Sequence, residues 1–159
     1  MTIDHGKEVM TIFNYYVEHS YAAYFENKLP DSFFSMFIEM TKGYPAYVIK
    51  DNATDKVIGF CFLKPYNPLP VFKHTAEITY FITKDDVGKG IGKAALKLLI
   101  DEGKAMGIKQ ILASISSLNE PSIAFHRRNG FRECGRFLKI GKKNENLFDV
   151  VWMEKEISQ

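Results

Sequence analysis

Gly88, Gly90 and Gly92 occupy alternate positions in the stretch Val87-Gly88-Lys89-Gly90-Ile91-Gly92-Lys93. Glycines so spaced let the backbone turn tightly and leave no side chain over its amide groups. A strand, Glu77-Ile78-Thr79-Tyr80-Phe81-Ile82, leads into the turn, and a helix ending before Gly107 leaves it. Unpaired N–H groups at a helix start, flanked by Lys89 and Lys93, make an anion site suited to phosphate. Spacing narrows the kind of cradle. A Walker A loop would place a glycine where Val87 stands and a hydroxyl residue where Ala94 follows Lys93. A dinucleotide fingerprint would place its third glycine one residue beyond Gly92. Neither pattern is met.

A carboxylate and an imidazole complete the candidates. Strand alternation puts Glu77 on one face with Thr79 and Phe81. Apolar surroundings there, drawn from the aromatic-rich N-terminal half, would make Glu77 a readier proton acceptor. The alternative is a half-exposed strand glutamate paired with a lysine. His126 sits in a predicted helix, able to donate or accept a proton, or simply bonded to a backbone carbonyl.

The elements that must position these groups follow from periodicity and punctuation. A first helix, capped by Asp4, carries Val9, Ile12, Phe13, Tyr16 and Val17 on one face. A second begins near Asp31 or Ser32, presents Phe33, Phe34, Phe37, Ile38 and Met40, and stops at Gly43. Strands follow at Ala46–Lys50 and Val57–Lys64 as a hairpin. Lys64–Thr75, with three prolines, is a loop able to roof a site. The helix after the glycine turn packs through Ile91, Ala94, Ala95 and Leu98. Gln110–Ser116 forms a strand, and Asn119 caps a short helix with Pro121 in its first turn, ending before Gly130. Strands at Arg132–Lys142 and Leu147–Glu156 close the chain. This order suits an α/β (α+β) domain with a mixed, mostly antiparallel sheet and helices on both faces.

Composition bounds the rest. At 159 residues, 46% hydrophobic and 25% charged, the chain suits one domain, 1–159, with one sizeable core. A net charge of +2 gives no electrostatic footprint for nucleic acid. No apolar run is long enough for a membrane span, and the N-terminus lacks a signal-peptide core. Cys61 and Cys134, far apart, suggest neither a metal site nor a disulfide framework, so a cytoplasmic location and no metal are expected.

Gly90 and Gly92 fit Gln/Arg-x-x-Gly-x-Gly/Ala, the pyrophosphate loop of the GNAT superfamily of acyl-CoA-dependent N-acetyltransferases, with Val87 at the first position. Asn119-Glu120-Pro121-Ser122-Ile123-Ala124-Phe125-His126-Arg127-Arg128-Asn129-Gly130-Phe131 resembles that family's Asn-x-x-Ala/Ser-x-x-x-Tyr/His-x-x-x-Gly-Phe. Thr75-Ala76-Glu77, the Asn-x-Pro-Ser…His segment and Gly141-Lys142…Asp149 are similar to the phosphinothricin/methionine-sulfone N-acetyltransferase branch. The resemblance runs from about Val9 to Ile157.

The resemblance implies a GNAT fold whose usual first strand, with only Met1–Ile3 left for it, is truncated or absent here. It implies acetyl-CoA as co-substrate, a primary amine as acceptor and a homodimer, with no nucleic acid or membrane partner. The coenzyme would be held by the backbone of Tyr80, Phe81 and Ile82, by the loop Val87, Gly88, Lys89, Gly90, Ile91, Gly92 and Lys93, and by Asn119, Ser122 and Phe125. Glu77 would be the base, and His126 would stand where many members carry a Tyr for the departing thiolate. Tyr24, Phe25, Tyr66 and Phe72, with Glu77, are expected acceptor-pocket residues. Where the branch carries an Arg for an amino-acid carboxylate this chain has Leu69, leaving Lys73, His74 or Arg136 as substitutes. A protein or peptide amine as acceptor, and a non-catalytic acyl-CoA-binding module, stay open as alternatives.

Overall fold

A computed structural model describes residues 1–158; Gln159, the last residue of the expected domain, lies outside them. Helices α1 (Gly6–His19) and α2 (Phe34–Met40) are followed by strands β1 (Ala46–Lys50), β2 (Val57–Pro65) and β3 (Thr75–Ile82). Helix α3 (Ile91–Ala105), strand β4 (Gln110–Ser116), helix α4 (Glu120–Arg128) and strands β5 (Arg132–Lys143) and β6 (Asn146–Glu156) complete the order. One six-stranded sheet runs β1-β2-β3-β4-β6-β5, antiparallel except between β3 and β4. This is the mixed α/β architecture read from the sequence.

Two apolar layers sandwich the sheet. On one face Val9, Met10, Ile12, Phe13 and Val17 of α1 and Phe34 and Phe37 of α2 pack on Phe60 and Phe62 of β2. On the other, Ala95, Leu96 and Leu99 of α3 pack on Ala76 and Ile78 of β3, Ile111 and Ala113 of β4, and Val151 and Met153 of β6. The buried stripe of α3 is therefore Ala95, Leu96, Leu99 and Gly103. Leu98, expected in that stripe, is 41% exposed, because the stripe is set one residue round the helix from the expected one.

The N-terminus differs from expectation in one detail and agrees in another. Asp4 does not cap α1: it lies in a 3-10 turn, Ile3–His5, entered from Thr2, and His5 holds the cap position. No strand precedes α1 among the described residues, as its three leading residues foretold. The Met1 ammonium instead donates to the Ala46 carbonyl, 2.7 Å away, at the start of β1.

The β5–β6 turn is anchored to α1 by a buried cation. Lys143 is 1% exposed, and its Nζ donates to the carbonyls of Val17 (2.6 Å), Ser20 (2.7 Å) and Ala23 (2.8 Å). All three ammonium donors thus close the carbonyls at and beyond the end of α1, fixing the segment that carries Tyr24. Burial pulls the ammonium pKa below its ordinary value, with the Glu26 carboxylate opposing. Lys143→Met leaves three inward-facing carbonyls without a donor and should cost about 2–4 kcal/mol. Urea denaturation checks this; an unchanged midpoint would mean that the ammonium is not holding this segment.

Candidate active site

The parallel ladder between β3 and β4 contains only Thr75↔Gln110, Ala76↔Ile111 and Glu77↔Leu112. Beyond Glu77 the two strands part. The hydrogen bonds from Tyr66 N–H to Thr75 O (3.4 Å) and from Thr83 N–H to Ile58 O (2.8 Å) set the alternation on the other edge of β3. By that alternation the main-chain groups of Glu77, Thr79 and Phe81 point to β2, and those of Tyr80 and Ile82 point into the opening. Phe81, expected to lend its backbone to the coenzyme, turns its main-chain groups to β2 instead, and its ring packs against Phe13, Tyr16 and Phe60. Tyr16 donates its hydroxyl to the Ile82 carbonyl.

The glycine turn sits at the far end of β3. Gly88 (φ +86°) and Gly90 (φ +85°) adopt the left-handed conformation that glycine tolerates, and Gly90 is the N-cap of α3. The first helical bond runs from Ala94 N–H to Gly90 O (3.1 Å), so the N–H groups of Ile91, Gly92 and Lys93 have no intrahelical acceptor. Lys89 is engaged inside the loop: its Nζ is 2.8 Å from Asp86 Oδ1, while Thr83 Oγ1 donates to Asp86 Oδ2 at 2.6 Å. The Lys89 ammonium and the Thr83 hydroxyl hold the Asp86 carboxyl below its ordinary range. Val87 is exposed. Beside this turn lies a groove of about 460 Å³ flanked by Lys93, Lys97 and Lys155.

On the α3/α4 face, Asn119 caps α4 as expected, its side-chain oxygen accepting from Ser122 N–H at 3.4 Å. His126 is 3% exposed, packed against Phe125 and Phe131. Its Nδ1–H donates to the Ser122 carbonyl (2.8 Å), which leaves Nε2 to accept the Tyr80 hydroxyl. That bond joins β3, past the point where the strands part, to α4. Burial lowers the imidazole pKa, the Ser122 carbonyl opposing, and raises that of the Tyr80 phenol. Tyr80 and Glu77 project from opposite faces of β3, so His126 does not meet Glu77.

On the α1/α2 face, Glu77 is paired rather than left in an apolar setting. Its Oε2 lies 2.5 Å from Lys64 Nζ, the side chains being 18% and 27% exposed. Lys64 faces Glu77 directly across the β2–β3 ladder. Around them stand aromatic rings: Tyr66 edge-on to Phe72 (5.6 Å) and to Trp152 (6.3 Å), and Tyr24 stacked on Phe148 (5.5 Å). The Tyr24 hydroxyl lies 3.3 Å from Ser114 Oγ. Burial raises the Tyr24 pKa, with the Glu77 charge adding to it and the Ser114 bond opposing. Phe25, expected as a pocket wall with Tyr24, stays 40% exposed at the edge of the helical layer, its ring edge-on to Phe13 and Phe33. A second ion pair on this face, Arg132–Glu154 at 2.5 Å, follows from the pairings Leu112↔Glu154 and Arg132↔Glu154.

Sequence reasoning missed Lys64, Ser114, Phe148, Trp152 and Glu154. Strand pairings such as Lys64↔Glu77, Ser114↔Trp152 and Leu112↔Glu154, with the Tyr24–Phe148 stack, bring them to this face, although strand alternation and the lone Trp were visible signals. Among the described residues no group of three or more His, Cys, Asp or Glu gathers to hold a metal ion.

The family model described as Acetyltransferase (GNAT) family matches residues 11–131. The chain is similar to the L-methionine sulfoximine/L-methionine sulfone acetyltransferase of Pseudomonas paraeruginosa, 34% identical over 113 residues, 71% of this chain and 65% of that protein. The match thus spans a little under two thirds of that relative. In fold it is similar to the ribosomal-protein-alanine N-acetyltransferase of Brucella melitensis (TM-score 0.89, 28% identity, 98% of this chain and 96% of that chain). It is likewise similar to a GNAT superfamily phosphinothricin acetyltransferase of Sinorhizobium meliloti, crystallised in complex with AcCoA (TM-score 0.91, 25% identity, 98% and 85%).

The buried imidazole makes stability depend on pH. With its folded pKa below the unfolded value of 6.5, His126 is neutral in the fold while the unfolded chain takes up a proton first. Its contribution is therefore complete above about pH 6.5 and is lost as pH falls toward the folded pKa, by at most about 1.4 kcal/mol per pH unit. The stability gap between the wild type and His126→Gln should narrow from pH 7.5 to pH 5 in chemical denaturation. A gap that widened would mean that the folded imidazole carries the proton.

Proposed function

Because this chain belongs to the acetyltransferase (GNAT) family, we propose that it moves the acetyl group of acetyl-CoA to the primary amine of a small molecule, an amino acid or analogue included, within a ternary complex. The observation that carries this reading is the opening between β3 and β4. Main-chain groups of Tyr80 and Ile82 line it, the free amides of the glycine turn stand at one end, and Glu77 stands at its closed end. An extended pantetheine arm would add to β3 as a short strand, with the pyrophosphate on the amides of Gly88 to Lys93. Asn119, Ser122 and Phe125 would face that arm from α4.

In the transfer, Glu77 takes a proton from the acceptor ammonium, directly or through water. The freed nitrogen lone pair forms the C–N bond to the acetyl carbon. Main-chain N–H groups in the opening steady the oxyanion. The C–S bond then breaks with its electron pair on sulfur, and the thiolate takes up the proton that the newly bonded nitrogen sheds on becoming an amide. The Tyr80–His126 pair, on the other face from Glu77, is assigned to support that thiolate. An acyl-enzyme route is disfavoured: Cys61 is buried in the α3/α4 face with its thiol pushed up to about 12, and Cys134 lies exposed on β5.

The same reading takes the chain as one domain acting in the cytoplasm as a homodimer. Two unpaired cysteines and the exposed Phe137, Leu138 and Ile140 on β5 support it. No helix of the described residues is long and apolar enough to cross a membrane.

The test is thiol release from acetyl-CoA against amino acids, methionine sulfone, polyamines and short peptides. Glu77→Gln should lower turnover roughly 10²- to 10⁴-fold with acetyl-CoA affinity intact. Unchanged turnover would remove Glu77 as the base. Tight acetyl-CoA binding with no thiol release across the panel would point to a non-catalytic binder instead.

A further inference from the structure

Lys64 is the only cation within 4 Å of Glu77 among the described residues. The other cations that could stand in for a carboxylate-binding Arg are engaged or remote. Arg136 is held by Glu133 (3.0 Å) and Asp149 (3.0 Å). The His74 ring reaches the Gly107 carbonyl at 3.1 Å, and Lys73 is exposed after the turn Pro70–Phe72. Lys64 instead stands on β2 opposite Glu77, on the same side of the strand as Tyr66, whose ring meets Phe72 and Trp152.

A partly shielded pair of this kind adds little to stability, since desolvation offsets most of its attraction. It does fit one kind of ligand well. An α-amino acid at neutral pH carries a carboxylate and an ammonium on adjacent atoms of one carbon. Entering between the two side chains, it would exchange one internal ion pair for two intermolecular ones: carboxylate to Lys64, ammonium to Glu77. Charge is balanced before and after. An amine without a carboxylate would occupy Glu77 and leave the Lys64 ammonium unpartnered in a partly dry site, which disfavours it. Taking Lys64 away from Glu77 would also leave that carboxylate free to receive the ammonium proton.

We propose that Lys64 is the carboxylate-binding residue and that the Lys64–Glu77 pair selects α-amino-acid zwitterions over simple amines. The proposal rests on the reading of the Glu77 side as the acceptor site.

The test uses three matched pairs: L-leucine and 3-methylbutylamine, L-phenylalanine and phenethylamine, L-methionine sulfone and 3-(methylsulfonyl)propan-1-amine. Thiol release and calorimetric binding are measured for the wild type, Lys64→Met and Lys64→Arg. The wild type should favour at least one amino acid over its paired amine. Lys64→Met should raise the KM for that amino acid about 10- to 100-fold, leave the KM for acetyl-CoA unchanged and lower that for the paired amine, which no longer strands an ammonium, and Lys64→Arg should restore most of the loss. Equal losses on both members of a pair, or no preference in the wild type, would overturn the proposal. If amino-acid binding falls in Lys64→Met while the wild type releases no thiol, the carboxylate contact stands and acetyl transfer falls.

Discussion

Strands β3 and β4 pair for three residues and then part, and the chemistry of the molecule depends on that gap. Each strand is held from outside. Seven residue pairs tie β3 to β2, and seven tie β4 to β6, so neither needs the other to stay extended. The inner main-chain groups are then left with donors and acceptors to satisfy, which costs free energy unless a partner supplies them. Tyr16, bonded to the Ile82 carbonyl, and Tyr80, bonded to His126, brace the free end of β3 from its two faces.

The sheet also separates two environments. Toward α3 and α4 lie a buried neutral imidazole, a buried phenol and the anion-seeking start of α3. Toward α1 and α2 lie two ion pairs, Lys64–Glu77 and Arg132–Glu154, under a rim of aromatic rings. In the proposed reaction a phosphate-bearing coenzyme and a charged acceptor approach from different faces and meet at the gap. The buried Lys143 belongs to the acceptor side as well, since the carbonyls that it binds lie in the segment leading to Tyr24.

Local signals were legible where local physics decides. The left-handed turns at Gly88 and Gly90, the Asn119 cap and the limits of β4 match what residue types and periodicity indicate. The errors lie where a neighbour decides. Leu98 fits an apolar stripe as well as Leu96 does, and only the sheet beneath α3 selects between them. Phe81, expected to face the coenzyme, has its ring in the helical core and its main chain turned to β2, while Phe25 only edges Phe13 and Phe33 and stays exposed. Asp4 is a good cap by type, but the turn from Thr2 begins one step earlier.

The sequence by itself determined the order of elements, the glycine turn, the carboxylate on the strand before it and the family resemblance, because each rests on residues close together in the chain. Tertiary structure decided what Glu77 meets. Lys64 lies thirteen residues before it, on the neighbouring strand, and strand register alone sets the two side by side. Tertiary structure likewise put His126 against Tyr80 instead of Glu77, since the face of β3 on which a side chain emerges acquires a partner only when the helices are packed.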